Sequence, residues 1–331
     1  MSAPTFEIWQ EDCITGMAER LAPASVHLTV TSIPFESLFV YTGKNEDLGN
    51  NPSEVDLRAG RFALNLRFFA TQLLEVTAPG CNACIHIQQL LAHKNQHGYM
   101  GRRDFRAAVA DVFTASGWHW SGEFAIPKDP QIIANRLNLH SLQFKSGYAR
   151  SSTLWAPAVN DYVLIFQRPG EPAVPVRPLL KLPENPGGWM TMDEWIRDAH
   201  GCWTDILEID VLECARSNKE LNKHRETEAE RHVCPLQLEV IRRLVNFYSN
   251  PIDIQPDVLV LDPFMGIGST AWTALGAPSP TTKIALHAPR NVVGFELKPS
   301  YHRSAVANAA LAIERLTMKP KPPADLYAEV A

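Results

Sequence analysis

The chain has 331 residues, 45% hydrophobic and 20% charged, an ordinary globular composition that suffices for one large or two modest domains. Its formal net charge of -5 excludes a bulk polycation, so any nucleic-acid contact must come from a local basic face. Six cysteines, at 13, 81, 84, 202, 214 and 234, lack the spacing of a disulfide framework and suit a reducing, cytoplasmic setting. The start MSAPTFEIWQEDC has no basic or apolar signal region, and no apolar run approaches the roughly 20 residues of a membrane span. No internal repeat is visible, and no membrane partner is expected.

In chain order, Val26–Thr31 (VHLTVT) is a β-rich run ending at Ser32-Ile33-Pro34-Phe35. Residues 36–60 are polar and turn-rich, which predicts a loop with little structure. Residues 61–76 have helical spacing, Pro79-Gly80 is expected to stop that helix, and Cys81–Gln88 reads as the next strand. Residues 102–116 predict an amphipathic helix, and Trp118–Ile126 and Asp161–Gln167 predict strands. Residues 168–188 are proline-rich and read as a linker or an extended crossing segment. Residues 213–231, heavily charged and mixed in sign, read as a solvated helix. Residues 235–248 form an amphipathic helix. A strand (Val258–Leu261), a helix after it, a strand (Asn291–Phe295) and a helix near 300–316 follow. Alternating strands and helices predict an α/β fold with a mostly parallel, doubly wound sheet.

The segment VLVLDPFMGIGST, Val258 to Thr270, carries the strongest chemical signal. A strand empties through Asp262-Pro263-Phe264 into Gly266 and Gly268, then into a helix start at Ser269 and Thr270. Glycines let a backbone approach a ligand closely, and a helix start offers free N–H groups. Gly266-x-Gly268-x-x-Ala271 also fits a dinucleotide fingerprint, with Glu296 placed to bind ribose hydroxyls. A nicotinamide dehydrogenase is therefore a competing reading. Against it, only 35 residues follow Glu296, too few for a second mononucleotide half. A ligand-free strand–helix turn is the plain alternative.

The N-terminal run supplies a second motif. Thr31-Ser32-Ile33-Pro34-Phe35 after a strand resembles the "strand, then Asp/Asn/Ser-Pro-Pro-Tyr/Phe" motif of amino-group DNA methyltransferases. DPFMGIGST resembles the cofactor loop of that family, and Glu296 in VVGFELKPSY its ribose-binding acid. Arg231–Leu236 (RHVCPL) resembles the segment flanking the cofactor's methionine part, and Leu73–Gly80 the family's helix-to-strand turn. With the catalytic motif first and the cofactor loop last, the order resembles the permuted β-class, closest to phage and prophage members. The resemblance runs from about residue 6 to 312.

The resemblance implies a Rossmann-like methyltransferase fold with an inserted target-recognition region. Residues 1–167 would be the catalytic half, with a DNA-contacting insert at 91–150. Residues 168–230 would be a linker or target-recognition segment, and 231–331 the cofactor-binding half. It implies S-adenosylmethionine as cofactor, no metal, DNA as partner, base flipping, a place in restriction–modification, and room for a homodimer. Cofactor contacts would come from Asp12, His232, Pro235, Asp262, Pro263, Phe264, Gly266, Gly268, Thr270 and Glu296. The target would be the exocyclic amine of cytosine (N4) or adenine (N6), with Ser32 leaning toward cytosine.

That chemistry needs these residue types. An exocyclic amine is a poor nucleophile because its lone pair is delocalised into the ring. Two acceptors, the Ser32 hydroxyl and the carbonyl of Ile33, would favour the pyramidal nitrogen of the transition state. Phe35 would stack on a base swung out of the duplex. Carbon-5 methylation needs a cysteine nucleophile in this loop, and SIPF has none. Ile33 stands where the family has proline; the carbonyl is kept, but the fixed φ is lost. A member that binds cofactor or DNA without turnover is thus a rival, as is the same chemistry on RNA or a free nucleobase.

Cys81-x-x-Cys84 with His86 admits a zinc reading, but no second pair stands at ligand spacing, so buried thiols are expected. Trp118, Trp120, Trp189, Trp195 and Trp203 are expected as core or interface aromatics, one of which could wedge into DNA. Residues 91–150 hold Lys94, Arg102, Arg103, Arg106, Lys128, Arg136, Lys145 and Arg150, the most basic region of the chain, placed to follow a phosphate backbone. Residues 277–290 lengthen the link between the glycine loop and Glu296 with no functional account.

Overall fold

The structure is a computed structural model that describes residues 3–36, 40–50, 56–99, 101–130, 159–212 and 236–317. A single sheet organises them. Its central strand β2 (Val26–Ser32) is rich in β-branched residues, and no position of it is exposed. Burial on both faces is what a strand covered by helices on each side requires. Beside it lie β3 (Thr77–Gln88) and β8 (Leu259–Asp262), then β9 (Asn291–Phe295) and the edge strand β1 (Phe6–Trp9). The order is β1-β9-β8-β2-β3-β7-β6, where β6 is His119–Ile126 and β7 is Asp161–Gln167. All neighbours pair in parallel from β1 through β3; β7 runs antiparallel to both β3 and β6. A small hairpin, β4 (Leu90–Ala92) with β5 (Gly101–Arg103), stands outside this sheet.

The helices divide between the faces, giving the doubly wound α/β architecture that the alternation of elements predicts. On one face lie α1 (Cys13–Arg20), α2 (Arg61–Val76) and α4 (Phe105–Ala115). Phe62, Leu66, Phe69, Ala70, Leu73 and Val76 of α2 fall at helical spacing and are buried there together. On the other face lie α6 (Leu238–Tyr248), α7 (Ser269–Ala274) and α8 (Pro299–Thr317). The two remaining helices among the described residues are short: α3 (Lys94–His97) follows β4, and α5 (Met192–Asp198) precedes the Trp203 region.

Three expectations need correction. Pro79-Gly80 does not stop α2; the helix ends at Val76 and β3 begins at once at Thr77. Pro79 and Gly80 instead sit in an irregularity of the ladder, where Leu28 meets Asn82 although Val26 meets Thr77. Gly80 at φ 72 takes the left-handed turn this slip requires. The helix predicted over 102–116 starts only at Phe105, capped by Asp104, because Gly101–Arg103 pair as a strand. Residues 40–50 are well organised without a helix or strand. The Asp47 carboxylate accepts from the backbone N–H groups of Tyr41, Thr42, Gly43 and Gly49, tying the loop to itself.

The insertion at 277–290 has a structural account. His287 stacks on Trp189, with ring centroids 5.1 Å apart, and the Ser279 hydroxyl bonds Asp210. The buried Arg290 guanidinium bonds the carbonyls of Val245 and Ser249 at the C-terminus of α6. There it satisfies orphan acceptors and opposes the helix dipole. The segment fastens the end of α6 to the chain around 189 and 210.

Candidate active site

The site is built at the C-terminal edge of the parallel strands, where a doubly wound sheet leaves a crevice. Four strand ends meet there. β2 delivers Ser32 to Phe35, β3 delivers His86, β8 delivers Asp262 to Gly268, and β9 delivers Glu296. One pocket is lined by Asp12, Ser32, Pro34, Asp262, Pro263, Phe264, Gly266, Thr270 and Glu296 together. Tyr41, Asp47 and Leu48 of the organised loop line it as well.

The two deep carboxyls are held at high proton affinity. Asp262 is buried, which pushes its pKa up to about 6, although Thr270, Thr31 and the Phe264 N–H all hydrogen-bond it. The Thr31 hydroxyl donates at 2.5 Å and the Phe264 N–H at 3.0 Å. Burial likewise pushes Glu296 up to about 7. Its two oxygens accept from the backbone N–H of Gly266 at 2.7 Å and of Lys298 at 2.8 Å. Glu296 thereby fixes the glycine loop to the end of β9. Asp12 caps α1 by accepting from the Thr15 N–H at 2.9 Å.

The two loop glycines serve different ends. Gly266 has φ 55, and among the described residues a Cβ there would find only the Phe264 carbonyl oxygen within 4 Å, so its absence keeps the cavity open. Gly268 does not line the pocket; a Cβ there would meet Ala305 Cα of α8 at 3.0 Å. The Ser269 hydroxyl is buried at the pocket wall and has no hydrogen-bond partner among the described residues. A cavity with a glycine cradle, an orphaned hydroxyl, a buried acid and walls from Ile14, Phe264, Ile267 and Phe295 fits a nucleoside-type cofactor.

The SIPF loop is anchored by packing. Ile33, at 1% exposure, belongs to the core cluster beneath α2 and α4. Its side chain thereby ties the loop to the core. Glu36 leaves the loop at φ 51 and forms a two-point ion pair with Arg103 of β5, both distances 2.7 Å. The Phe35 ring is half-buried, 5.8 Å from the His86 ring and 6.4 Å from that of Phe105.

Ser32 does not stand alone. Its register partner across the parallel ladder is His86, whose Nδ1 lies 2.9 Å from Ser32 Oγ. His86 Nε2 lies 3.2 Å from Asp161 Oδ2, and Lys128 Nζ is 2.9 Å from that same oxygen. Gln88 donates to Asp161 Oδ1 at 3.1 Å. Burial alone would raise the Asp161 pKa, but the hydrogen bond and charge of His86, together with Lys128, bring it below the usual carboxylate value. Sequence reasoning passed over Asp161 and took His86 only as a zinc candidate. The available signal was a polar residue in an otherwise apolar strand beside the serine motif.

The basic stretch is thinner than its composition predicts. Arg103 and Lys128 are buried in the pairs with Glu36 and Asp161, so neither carries a surface charge toward a phosphate. Arg106 is bound to Glu123 at 2.7 Å and lies over the Trp120 ring. Lys94 and Arg102 are exposed. Arg136, Lys145, Arg150, His232, Pro235 and the charged helix expected at 213–231 lie outside the described residues.

Cys84 is buried and its thiol pushed far up, while Cys81 is raised to about 11 by burial. Among the described residues no cluster of His, Cys, Asp and Glu could hold a metal ion. Trp118 and Trp203 are core residues, whereas Trp120 and Trp195 are exposed. No helix among the described residues is long and apolar enough to cross a membrane.

A glycine loop on one strand end, a buried acid on the next and a serine loop on a third define a Rossmann-like methyltransferase domain. Comparison with solved structures agrees in fold. A candidate DNA modification methylase from Thermus thermophilus, solved with S-adenosyl-L-methionine, superposes with a TM-score of 0.59 at 19% identity, over 93% of this chain and 95% of the other. The PvuII cytosine-N4-specific DNA methyltransferase superposes with a TM-score of 0.56 at 14% identity, over 95% and 93%. No curated protein matches in sequence. The N6/N4 methyltransferase family model, described as DNA methylase, matches residues 26–307, and the chain belongs to that family.

Proposed function

We propose that this protein transfers a methyl group from S-adenosylmethionine to the exocyclic amine of cytosine or adenine in DNA, with the motif order of the permuted β-class. The observation that carries it is that one pocket is lined at once by Ser32 and Pro34 and by Asp262 to Gly266 and Glu296. Donor and acceptor sites thus adjoin at neighbouring strand ends.

S-adenosylmethionine, when bound, supplies an electrophilic methyl on a positively charged sulfur. Glu296 would hold the ribose hydroxyls, Asp12 the adenine amine, and Phe264 an apolar wall. The Ser32 hydroxyl oxygen and the Ile33 carbonyl accept the two N–H groups of the target amine, which localises its lone pair. Phe35 stacks on the base once it leaves the duplex. Ser32 favours cytosine N4 over adenine N6.

Incubation with methyl-labelled cofactor and mixed-sequence DNA tests the reading. Digestion and mass spectrometry of the nucleosides should return N4-methylcytosine, or N6-methyladenine if the base preference is reversed. Cofactor binding with no label in DNA would refute it in favour of a non-catalytic member.

A further inference from the structure

We propose that His86 and Asp161 act as a proton relay behind Ser32, with Lys128 holding Asp161 ionised. The inference rests on the reading that Ser32 engages the target amine. It gives a role to three buried ionisable groups that methyl transfer to an acceptor amine does not by itself explain.

The hydrogen-bond roles follow from the charges. Asp161, ionised, can only accept, so the 3.2 Å contact requires a proton on His86 Nε2. In the neutral ring Nδ1 then carries the lone pair and accepts from the Ser32 hydroxyl at 2.9 Å. The Ser32 O–H is turned away toward His86, which leaves its oxygen free to accept from the amine. The ring is used in the opposite sense to a hydrolase triad, in which Nε2 faces the serine. Lys128 and Gln88 hold the two Asp161 oxygens, and the Phe35 ring lies tilted beside the imidazole, 5.8 Å between centroids. On the other side of β2, the Asp262 carboxyl accepts from Thr31.

The step balances. The N–CH3 bond forms as the S–CH3 bond breaks; the sulfonium becomes a neutral thioether and the amine nitrogen takes the positive charge. One amine proton passes to Ser32 Oγ while the Ser32 hydroxyl proton passes to His86 Nδ1. The resulting imidazolium is stabilised by Asp161 and later releases its proton to solvent. Before transfer His86 is a positioning residue; during transfer it is the proton acceptor.

The test compares native protein with His86→Gln, which keeps an acceptor for Ser32 but cannot carry the proton, and with Asp161→Asn. The free native protein should give the Nε2–H tautomer of His86 in 15N-resolved NMR, and Asp161→Asn should disturb that tautomer. His86→Gln should bind S-adenosylmethionine and DNA within about threefold of native by calorimetry. Its kcat should fall by about a hundredfold or more at saturating cofactor, the scale of general acid–base catalysis. A kcat within threefold of native, or an Nδ1–H tautomer in the native protein, would overturn the relay. Should native protein transfer no methyl at all, the functional reading fails first, and the tautomer measurement still reports on the geometry.

Discussion

Glu36 and Arg103 face each other through two parallel 2.7 Å contacts while side-chain exposure is only 2% and 6%. One follows the SIPF loop and the other ends the β4–β5 hairpin, so the pair joins that loop to an element outside the main sheet. A buried ion pair gives little net stability against an apolar replacement, but breaking it strands a charge. Arg103→Ala should therefore lower unfolding free energy by about 3–5 kcal/mol. Arg103→Lys, which cannot make the planar two-point contact, should recover only part of that. Denaturant unfolding checks both, and near-native stability in Arg103→Ala would show that the pair does not hold the loop.

Ile33 gives a second test of how this loop is held. If packing replaces the rigidity of the proline that the family motif carries, trimming the side chain should loosen the loop. Ile33→Ala should cost about 2–5 kcal/mol and Ile33→Val about 0.5–1.5 kcal/mol, the usual range for buried aliphatic truncation. Ile33→Val should keep most of the turnover. Equal stability of all three proteins would mean that Ile33 contributes nothing to the core cluster.

The two loop glycines should separate under mutation. Gly266→Ala places a methyl at φ 55 in open cavity space, so the strain is on the order of 1–2 kcal/mol and the fold survives. Cofactor affinity should drop tenfold or more, and Gly266→Val should abolish binding. Gly268→Ala drives a Cβ against Ala305 Cα and should lower the melting temperature more than Gly266→Ala does. Calorimetric titration and thermal unfolding, run on both variants, distinguish the two roles; identical profiles would contradict them.

These glycines also mark what the sequence makes legible. The loop, its flanking strand and Glu296 stand out because the chemistry is local: an acid, a proline and two glycines must follow a buried strand within a few residues. Central strands and the long amphipathic helices are legible for the same reason of periodicity. What escapes is non-local or very short. The edge strand β1 has only four residues, and its pairing with β9 joins opposite ends of the chain. Arg103 and Lys128 count as basic surface until their acids, Glu36 and Asp161, are brought alongside by folding. His86 sits 75 positions from Asp161 and 54 from Ser32, so no spacing rule links them. The register of β2 against β3 does.

The two raised carboxyls, Glu296 and Asp262, give the protein a pH dependence of definite sign. The folded pKa of Glu296, about 7, is raised above the ordinary 4.5, and that of Asp262, about 6, above 3.8. A raised carboxyl contributes stability that is present below the unfolded pKa and is lost as pH climbs through the folded one. The cofactor-free protein should thus lose stability between about pH 4 and 7 through these two groups. In the proposed ribose-binding role of Glu296, hydroxyls would donate to the ionised form, so cofactor affinity should run the other way. It should rise with pH by up to about tenfold per unit until Glu296 is ionised, then level off above about pH 7. Calorimetric titration with S-adenosylmethionine from pH 5.5 to 8.5 measures the trend. Glu296→Gln should bind weakly with a flatter pH dependence, and should lose less stability than native protein between pH 5 and 8. Native affinity that stays constant across the range would remove Glu296 from the ribose-binding role.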